Sequence, residues 1–372
     1  MSKRSNLIQI IIFIAFIATF LVILIALPDK SFSQKENRVL QTNPQFSFSA
    51  LFGGDYTSHF ETYITDQFPM RDTWVVLKAG SETAVGKQEN NGIYLCKDGI
   101  LIEPYTAPQS SKLDSRLGAI NSFAMSQEIP VYFALIPSAA ELWRDVLPTN
   151  APNDSQKEII DYTYSLSDCI NIDVYTVLEN HTSEYIYFHT DHHWTALGAY
   201  YGYTAIMDAM GLDYSDLSSY TPKVVSDSFY GTAHSSSGYC WVDPDRLETY
   251  VPAGSETVIN YASGSAQESK IYDKAFLEVK DKYSYFFGGN TPLIQITTEN
   301  ADAPSLLIIR DSYMDALSPF LLENFSAIHI IDLRYYKLSL AEYITENEID
   351  SALICYSVKN FAKDDNIFLI SR

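Results

Sequence analysis

Four apolar runs, each four to six residues long and interrupted only by His329, decide what this chain can fold into: Val131–Ile136, Leu306–Ile309, Ala327–Ile331 and Ala352–Tyr356. A strand with one wet face alternates polar and apolar residues, whereas continuous hydrophobic strands are covered on both faces. The intervening segments have helical spacing. Leu113, Leu117, Ile120 and Phe123 recur on one face, Ile159 to Leu166 suggests a second helix, and Leu340 to Glu346 a third. Thr195 is suited to cap a helix that stops at Gly211, and Ile170–Ile172 reads as a short strand. Tyr313 to Phe325 is expected to be helical, with Pro319 breaking or kinking it. Strands alternating with helices predict the α/β class, a parallel sheet with helices on both faces. In such folds the ligand crevice lies beyond the C-terminal ends of the strands, so the turn after Ile309 is where a site is expected.

A different apolar run governs compartment. Leu7 to Leu27 carries Gln9 as its only strongly polar member, and Pro28-Asp29-Lys30 ends it. About twenty helical residues match a bilayer core. Lys3 and Arg4 precede the run, which predicts a cytoplasmic N-terminus and a single-pass anchor with everything after residue 30 extracytoplasmic. A cleaved signal peptide is the alternative, although Ala26-Leu27-Pro28 is a poor cleavage site. The expected organisation is a cytoplasmic tip and anchor over 1–30, then a tether and juxtamembrane region over 31–80. An α/β domain follows over 81–372, interrupted by an irregular, Ser/Gly-rich insertion at about 215–290 that covers the crevice. Within the juxtamembrane stretch, helices with a turn at Pro69 are expected. Lys97-Asp98-Gly99 is a hairpin signal between two hydrophobic segments.

A formal net charge of −21 opposes nucleic acid and anionic polymers as partners. The 27 tyrosines and 4 tryptophans suit neutral sugar rings, although many must be core residues. Cys96, Cys169, Cys240 and Cys355 form no CxxC, so neither a disulfide scaffold nor a thiolate metal knuckle is expected. Cys169 and Cys355 read as core thiols, and Cys240 is left as a possible mate for Cys96.

Chemistry concentrates in two places. Three of the seven histidines fall in His189-Thr190-Asp191-His192-His193, and Trp194 follows at once. The strand at Leu306 delivers Arg310-Asp311-Ser312-Tyr313 to its C-terminal end. A serine hydroxyl needs a base to take its proton, and the base needs a third group to orient it. Asp191 can reach the His193 imidazole if His192 occupies a tight turn, which offers Ser312 as nucleophile, His193 as base and Asp191 as orienting acid. The plainer readings are that Asp-Ser caps the next helix and that paired histidines are surface residues. If the segment were a strand, His189, Asp191 and His193 would share a face as a three-ligand zinc set. No fourth ligand is evident, and no metal is assigned. The Ser312 backbone N–H and the Asn290 amide, in Gly288-Gly289-Asn290, are candidate oxyanion donors, with a simple tight turn the alternative for the latter. Arg334, near Asp332, either lines the crevice or makes a structural salt bridge.

The hexapeptide Thr190-Asp191-His192-His193-Trp194-Thr195 resembles the signature of the DHHW protein family, itself similar to SGNH-hydrolase-like alginate O-acetyltransferases of the AlgX and AlgJ type. The resemblance extends over Glu36-Asn37-Arg38, Asp66-Gln67-Phe68-Pro69 with Arg71-Asp72, and Ile136-Pro137-Ser138. It continues through Phe229-Tyr230-Gly231-Thr232, Lys282-Tyr283-Ser284, Gly288-Gly289-Asn290, Arg310-Asp311-Ser312-Tyr313 and Asp332-Leu333-Arg334-Tyr335-Tyr336. It implies an SGNH-hydrolase-like fold with the Ser312–His193–Asp191 triad. It also implies no bound cofactor, a polysaccharide acceptor and a membrane-bound O-acyltransferase that supplies acyl groups. The alginate enzymes carry Gly-Asp-Ser where this chain has Arg310-Asp311-Ser312, and a bulky Arg310 there is expected to shift an oxyanion donor or narrow the approach. Three functions follow as alternatives: polysaccharide O-acetyl transfer, deacetylation by the same triad, or a non-catalytic glycan-binding or scaffold role in the cell envelope.

Overall fold

The computed structural model describes residues 3–33, 35–36 and 38–371, so Asn37 of the Glu36-Asn37-Arg38 motif lies outside the described residues. The chain forms two compact units, one of residues up to 90 together with Ser235–Cys240, the other of Asn91–His234 with Trp241–Arg372.

In the first unit, helix α1 (Lys3–Ala26) is long and apolar enough over Ser5–Ala26 to cross a membrane. Three helices follow: α2 (Phe48–Gly53), α3 (Asp55–Asp66) and α4 (Arg71–Ala84). The turn between α3 and α4 runs through Pro69 and through Met70, whose φ of 57° is left-handed. Behind it lies a charged cluster that joins three of the motif segments. Arg38 grips both oxygens of Asp66 at 2.5 and 3.0 Å, and Glu36 accepts from Arg38 at 2.7 Å and from Arg71 at 2.5 Å. Arg38 holds the Asp66 carboxyl below its ordinary range against the opposing effect of burial.

The second unit is built on an eight-stranded sheet: β1 (Val131–Ile136), β2 (Ile170–Ile172), β3 (Thr257–Asn260), β4 (Gln267–Ser269), β5 (Leu293–Thr297), β6 (Ser305–Arg310), β7 (Ala327–Ile331) and β8 (Ser351–Ser357). The order across the sheet is β4-β3-β5-β7-β6-β8-β1-β2. Strands β7, β6, β8, β1 and β2 are mutually parallel. Alternate residues of the central strands enter two separate cores, which explains why these strands are apolar throughout. Leu306 and Ile308 of β6 point to one face, Leu307 and Ile309 to the other. The first face is covered by a helix over Ala196–Met210 through Ala199, Tyr203, Ile206 and Met207. The second is covered by Ser110–Ser126, through Leu113, Leu117, Ile120 and Phe123, and by Leu340–Glu346.

Several details depart from the sequence reading. Strands β3, β4 and β5 add to the β7 edge in antiparallel fashion, so the sheet is mixed. Two of these short, polar strands come from the stretch expected to be irregular. The helix after Ser312 is a single turn, Met314–Leu317, and continues as a 3-10 segment over Ser318–Glu323 with Pro319 at its start. Its dipole therefore contributes little to the site. All four cysteines are free, so no bond joins Cys96 to Cys240. Cys355 is buried, whereas Cys169 is only partly so.

Candidate active site

The Asp-His-His segment is the tip of a small closed loop. Tyr187 and Trp194 form an antiparallel bridge, and Thr195 N–H donates to the Ile186 carbonyl at 2.9 Å. At the tip Asp191 makes an Asx turn, its Oδ1 accepting the His193 N–H at 3.0 Å and His193 Nδ1 at 2.5 Å. His193 Nε2 lies 2.7 Å from Ser312 Oγ. A carboxylate only accepts, so Nδ1 carries the imidazole proton and Nε2 is left to accept from the serine hydroxyl. The structure thus brings Asp191, His193 and Ser312 into one line of hydrogen bonds across 119 residues of sequence.

The second Asp191 oxygen accepts from Thr232 N at 2.7 Å and Thr232 Oγ1 at 3.0 Å. Burial alone would raise this carboxyl. The nearby His192 and His193 and the hydrogen bonds from His193 and Thr232 outweigh it and hold the group well below the usual carboxylate range. Gly231 makes this approach feasible, because a Cβ there would sit 2.2 Å from Asp191 Cβ. His192 points elsewhere, with Nδ1 2.7 Å from Thr232 Oγ1, and burial together with His193 lowers its pKa. Asp245 pins the loop from behind by accepting His189 N–H at 2.8 Å and Thr190 N–H at 2.7 Å.

The Ser312 turn has its own anchors. Asp311 Oδ2 accepts from Ser357 N, Ser357 Oγ and Asn360 Nδ2, each at 2.8 Å, which ties the end of β6 to the end of β8. Two reciprocal bonds link this turn to the histidine loop: Trp194 Nε1–H donates to the Tyr313 carbonyl at 2.8 Å, and Tyr313 O–H donates to the His192 carbonyl. The fully buried Trp194 is therefore a strut between the two halves of the site. Tyr283 completes the arrangement. Its ring stacks on His193 at 3.8 Å and 10°, and its hydroxyl donates to the Ser312 carbonyl at 3.1 Å.

The other expected site residues form a second network at the same end of the sheet. Arg310 is fully buried rather than projecting over the approach to Ser312, which corrects the expectation that it narrows the site. Its Nη1 donates to Asn290 Oδ1 at 3.0 Å, and Nη2 lies 2.9 Å from Asp315. Arg334 grips Asp332 through Nε at 2.9 Å and Nη2 at 2.6 Å, and its Nη2 also reaches Asn290 Oδ1 at 3.0 Å. Asn290 is thus held through its carbonyl by two arginines. Gly288 and Gly289, with φ of 76° and 93°, form the left-handed turn that delivers it, and Gly289 itself joins neither network. Asp191, His192 and His193 place potential metal-ligand atoms within 4.8 Å of one another, but those atoms are hydrogen-bonded to each other and to Thr232. His189 stands apart, packed edge-on against Trp143 and Tyr185, so the alternating three-ligand arrangement does not form.

Sequence reasoning assigned no role to Thr232, Tyr283 or Asp245. Tyr283 and Thr232 lay inside recognised motifs, but nothing local shows that they turn toward Asp191 and His193. Asp245 had no signal at all.

A family model described as DHHW protein matches residues 91–331. Among solved structures, a DHHW family protein from Eubacterium siraeum is 27% identical, covers 76% of this chain and 95% of its own, and superposes with a TM-score of 0.67. Bacillus cereus PatB1, solved with a sulfonyl adduct, is 24% identical, with 75% and 100% of the two chains covered and a TM-score of 0.63. The O-acetyltransferase domain of Pseudomonas putida AlgJ is far more distant, at 11% identity over 73% of this chain and 93% of its own, with a TM-score of 0.46. No curated protein matches the chain in sequence.

Proposed function

This chain belongs to the DHHW protein family, and from that premise we propose that it is a membrane-anchored, extracytoplasmic O-acyltransferase that O-acetylates a cell-surface or exported polysaccharide. The observation that carries the reading is the unbroken line from Asp191 through His193 to Ser312 Oγ. Ser312 Oγ attacks the acyl carbonyl carbon of an ester donor while its proton passes to His193 Nε2. The tetrahedral intermediate collapses as His193 returns that proton to the leaving oxygen, and the acyl group is now esterified to Ser312. A sugar hydroxyl then attacks the same carbon and loses its proton to His193. Collapse expels Ser312, which takes the proton back, and the ester stands on the sugar. Asp191 keeps the imidazole in the required tautomer and offsets its transient charge.

The developing oxyanion is assigned to the Ser312 backbone N–H and the Asn290 amide. In support, the Asn290 carbonyl is fixed by Arg310 and Arg334, which leaves its NH₂ group directed away from them. The acyl donor is assigned to a membrane-bound O-acyltransferase partner, with helix α1 as the anchor. An acidic surface favours a neutral acceptor.

Deleting the gene should lower the ester-linked acetyl content of an exported polysaccharide, and Ser312→Ala should reach the membrane without restoring it. A rise in acetylation on deletion would instead identify a deacetylase, and restoration by Ser312→Ala would identify a scaffold. Because PatB1 accepts a sulfonyl group, a sulfonyl fluoride should add one mass increment to the wild type and none to Ser312→Ala. Equal labelling of the two would remove Ser312 as nucleophile.

A further inference from the structure

We infer that the turn between α3 and α4 is embedded in the outer leaflet of the membrane that α1 crosses, so that the N-terminal unit docks on lipid as well as being tethered to it. The inference rests on reading α1 as an uncleaved span. The Phe68 ring stacks on Phe20 of α1 at 5.4 Å and 4°, and the Trp74 ring meets Phe20 at 5.8 Å. Phe20 is not at the end of the span. It precedes Ala26 by six residues, or about 9 Å of helix. The fifteen residues from Ser5 to Thr19 supply only about 22 Å, short of the roughly 30 Å hydrocarbon layer. Any tilt shortens that reach further. A spanning α1 therefore carries Phe20 to hydrocarbon depth, and the two rings resting on it are carried there too.

The residues around them suit that depth. Phe68, Met70, Trp74 and Leu77 are 36%, 65%, 37% and 55% exposed, an unusual grouping for a surface in water. Trp74 and Leu77 share one face of α4, and Met70 lies in the turn just before it. The indole N–H is satisfied within the protein by donating to the Pro69 carbonyl at 3.2 Å, so the ring can enter lipid without an unpaired donor. Next to the same turn lies a cavity of about 690 Å³, lined by Leu27, Phe32, Met70, Lys30 and Arg71 among others. Asp29, Asp66 and Asp72 line it too, so its apolar walls meet charges of both signs, as where acyl chains give way to zwitterionic headgroups.

The test uses the full-length protein in phosphatidylcholine vesicles with and without bromine at mid-depth of the acyl chains. Trp143 and Trp194 are buried in the other unit, and its Trp241 is 47% exposed, so the experiment is run with Trp241→Phe as the background in every sample. The brominated lipid should then quench the emission of the protein that keeps Trp74, and Trp74→Phe should abolish that difference. Mass analysis of the same preparation reports whether α1 is retained. An intact N-terminus with equal quenching in the protein that keeps Trp74 and in Trp74→Phe overturns the docking inference alone. A mature chain lacking α1 overturns it together with the anchor reading.

Discussion

Gly231→Ala adds a single methyl group at the point where the chain passes closest to Asp191. The new Cβ would lie 2.2 Å from Asp191 Cβ, 2.3 Å from Oδ2 and 2.6 Å from Cγ, whereas ordinary contact begins at about 3.4 Å. One partner must move by about 1 Å. Asp191 is held by Thr232 on one side and His193 on the other, so the displacement falls on the bonds that orient the imidazole. A misplacement of about 1 Å in a catalytic group costs on the order of 10²-fold in rate. Overpacking costs about 1–3 kcal/mol, which for a domain this large lowers the melting temperature by roughly 2–12 °C. The variant should therefore be folded at 25 °C while its single-turnover acylation by p-nitrophenyl acetate falls about 10²-fold. Gly118→Ala is the matched control, because a Cβ at that helical position meets nothing within 4 Å. It should acylate at the wild-type rate and be slightly more stable. Wild-type acylation by Gly231→Ala would show that the contact does not orient the triad, and the reasoning would fail.

Asp191→Asn should lower acylation by about 10⁴-fold, because the amide stabilises the wrong imidazole tautomer. The same substitution carries a pH signature. The folded carboxyl is held below its unfolded value of about 3.9, so its stabilisation is complete above that pH and is lost as pH falls below it. Melting curves between pH 2.5 and 6 should show a shallower acid decline for the variant, and parallel curves would count against the assignment. Trp194→Phe strands the buried Tyr313 carbonyl and should cost about 1–3 kcal/mol from that group alone, read as a lower urea midpoint. It should also slow acylation by loosening the Ser312 turn, and an unchanged rate would limit Trp194 to packing.

What could be read in advance follows from how local each signal is. The central strands announce themselves because burial on both faces confines the serines and Arg310 to the ends of β6 and β8 and leaves Leu306–Ile309 and Ala352–Tyr356 apolar between them. Strands β3 and β4 do not, since strands of three or four residues such as Thr257–Asn260 and Gln267–Ser269, at and next to the sheet edge, carry little pattern. Asp191 and His193 are readable together because an Asx turn spans two residues, and Ser312 because a strand end precedes it. Thr232, Asp245 and Tyr283 meet the triad only through closures of tens of residues, which no spacing rule encodes. The narrowing expected of Arg310 is absent for the same reason. Whether that side chain faces the substrate or Asn290 depends on a turn twenty residues earlier in the chain.

The Asp311 anchor has a consequence in time. Its partners, Ser357 and Asn360, follow it by 46 and 49 residues and are synthesised after both motifs, and the Ser312–His193 bond closes a loop of 119 residues. Contacts so distant in sequence form late in folding. The histidine loop and Ser312 are therefore made before the strand that fixes their turn, and the hydrogen-bonded line from Asp191 to Ser312 is complete only once β8 has docked beside β6. A chain stalled or truncated before residue 351 would carry both motifs yet lack the Asp311 anchors that hold the Ser312 turn against His193.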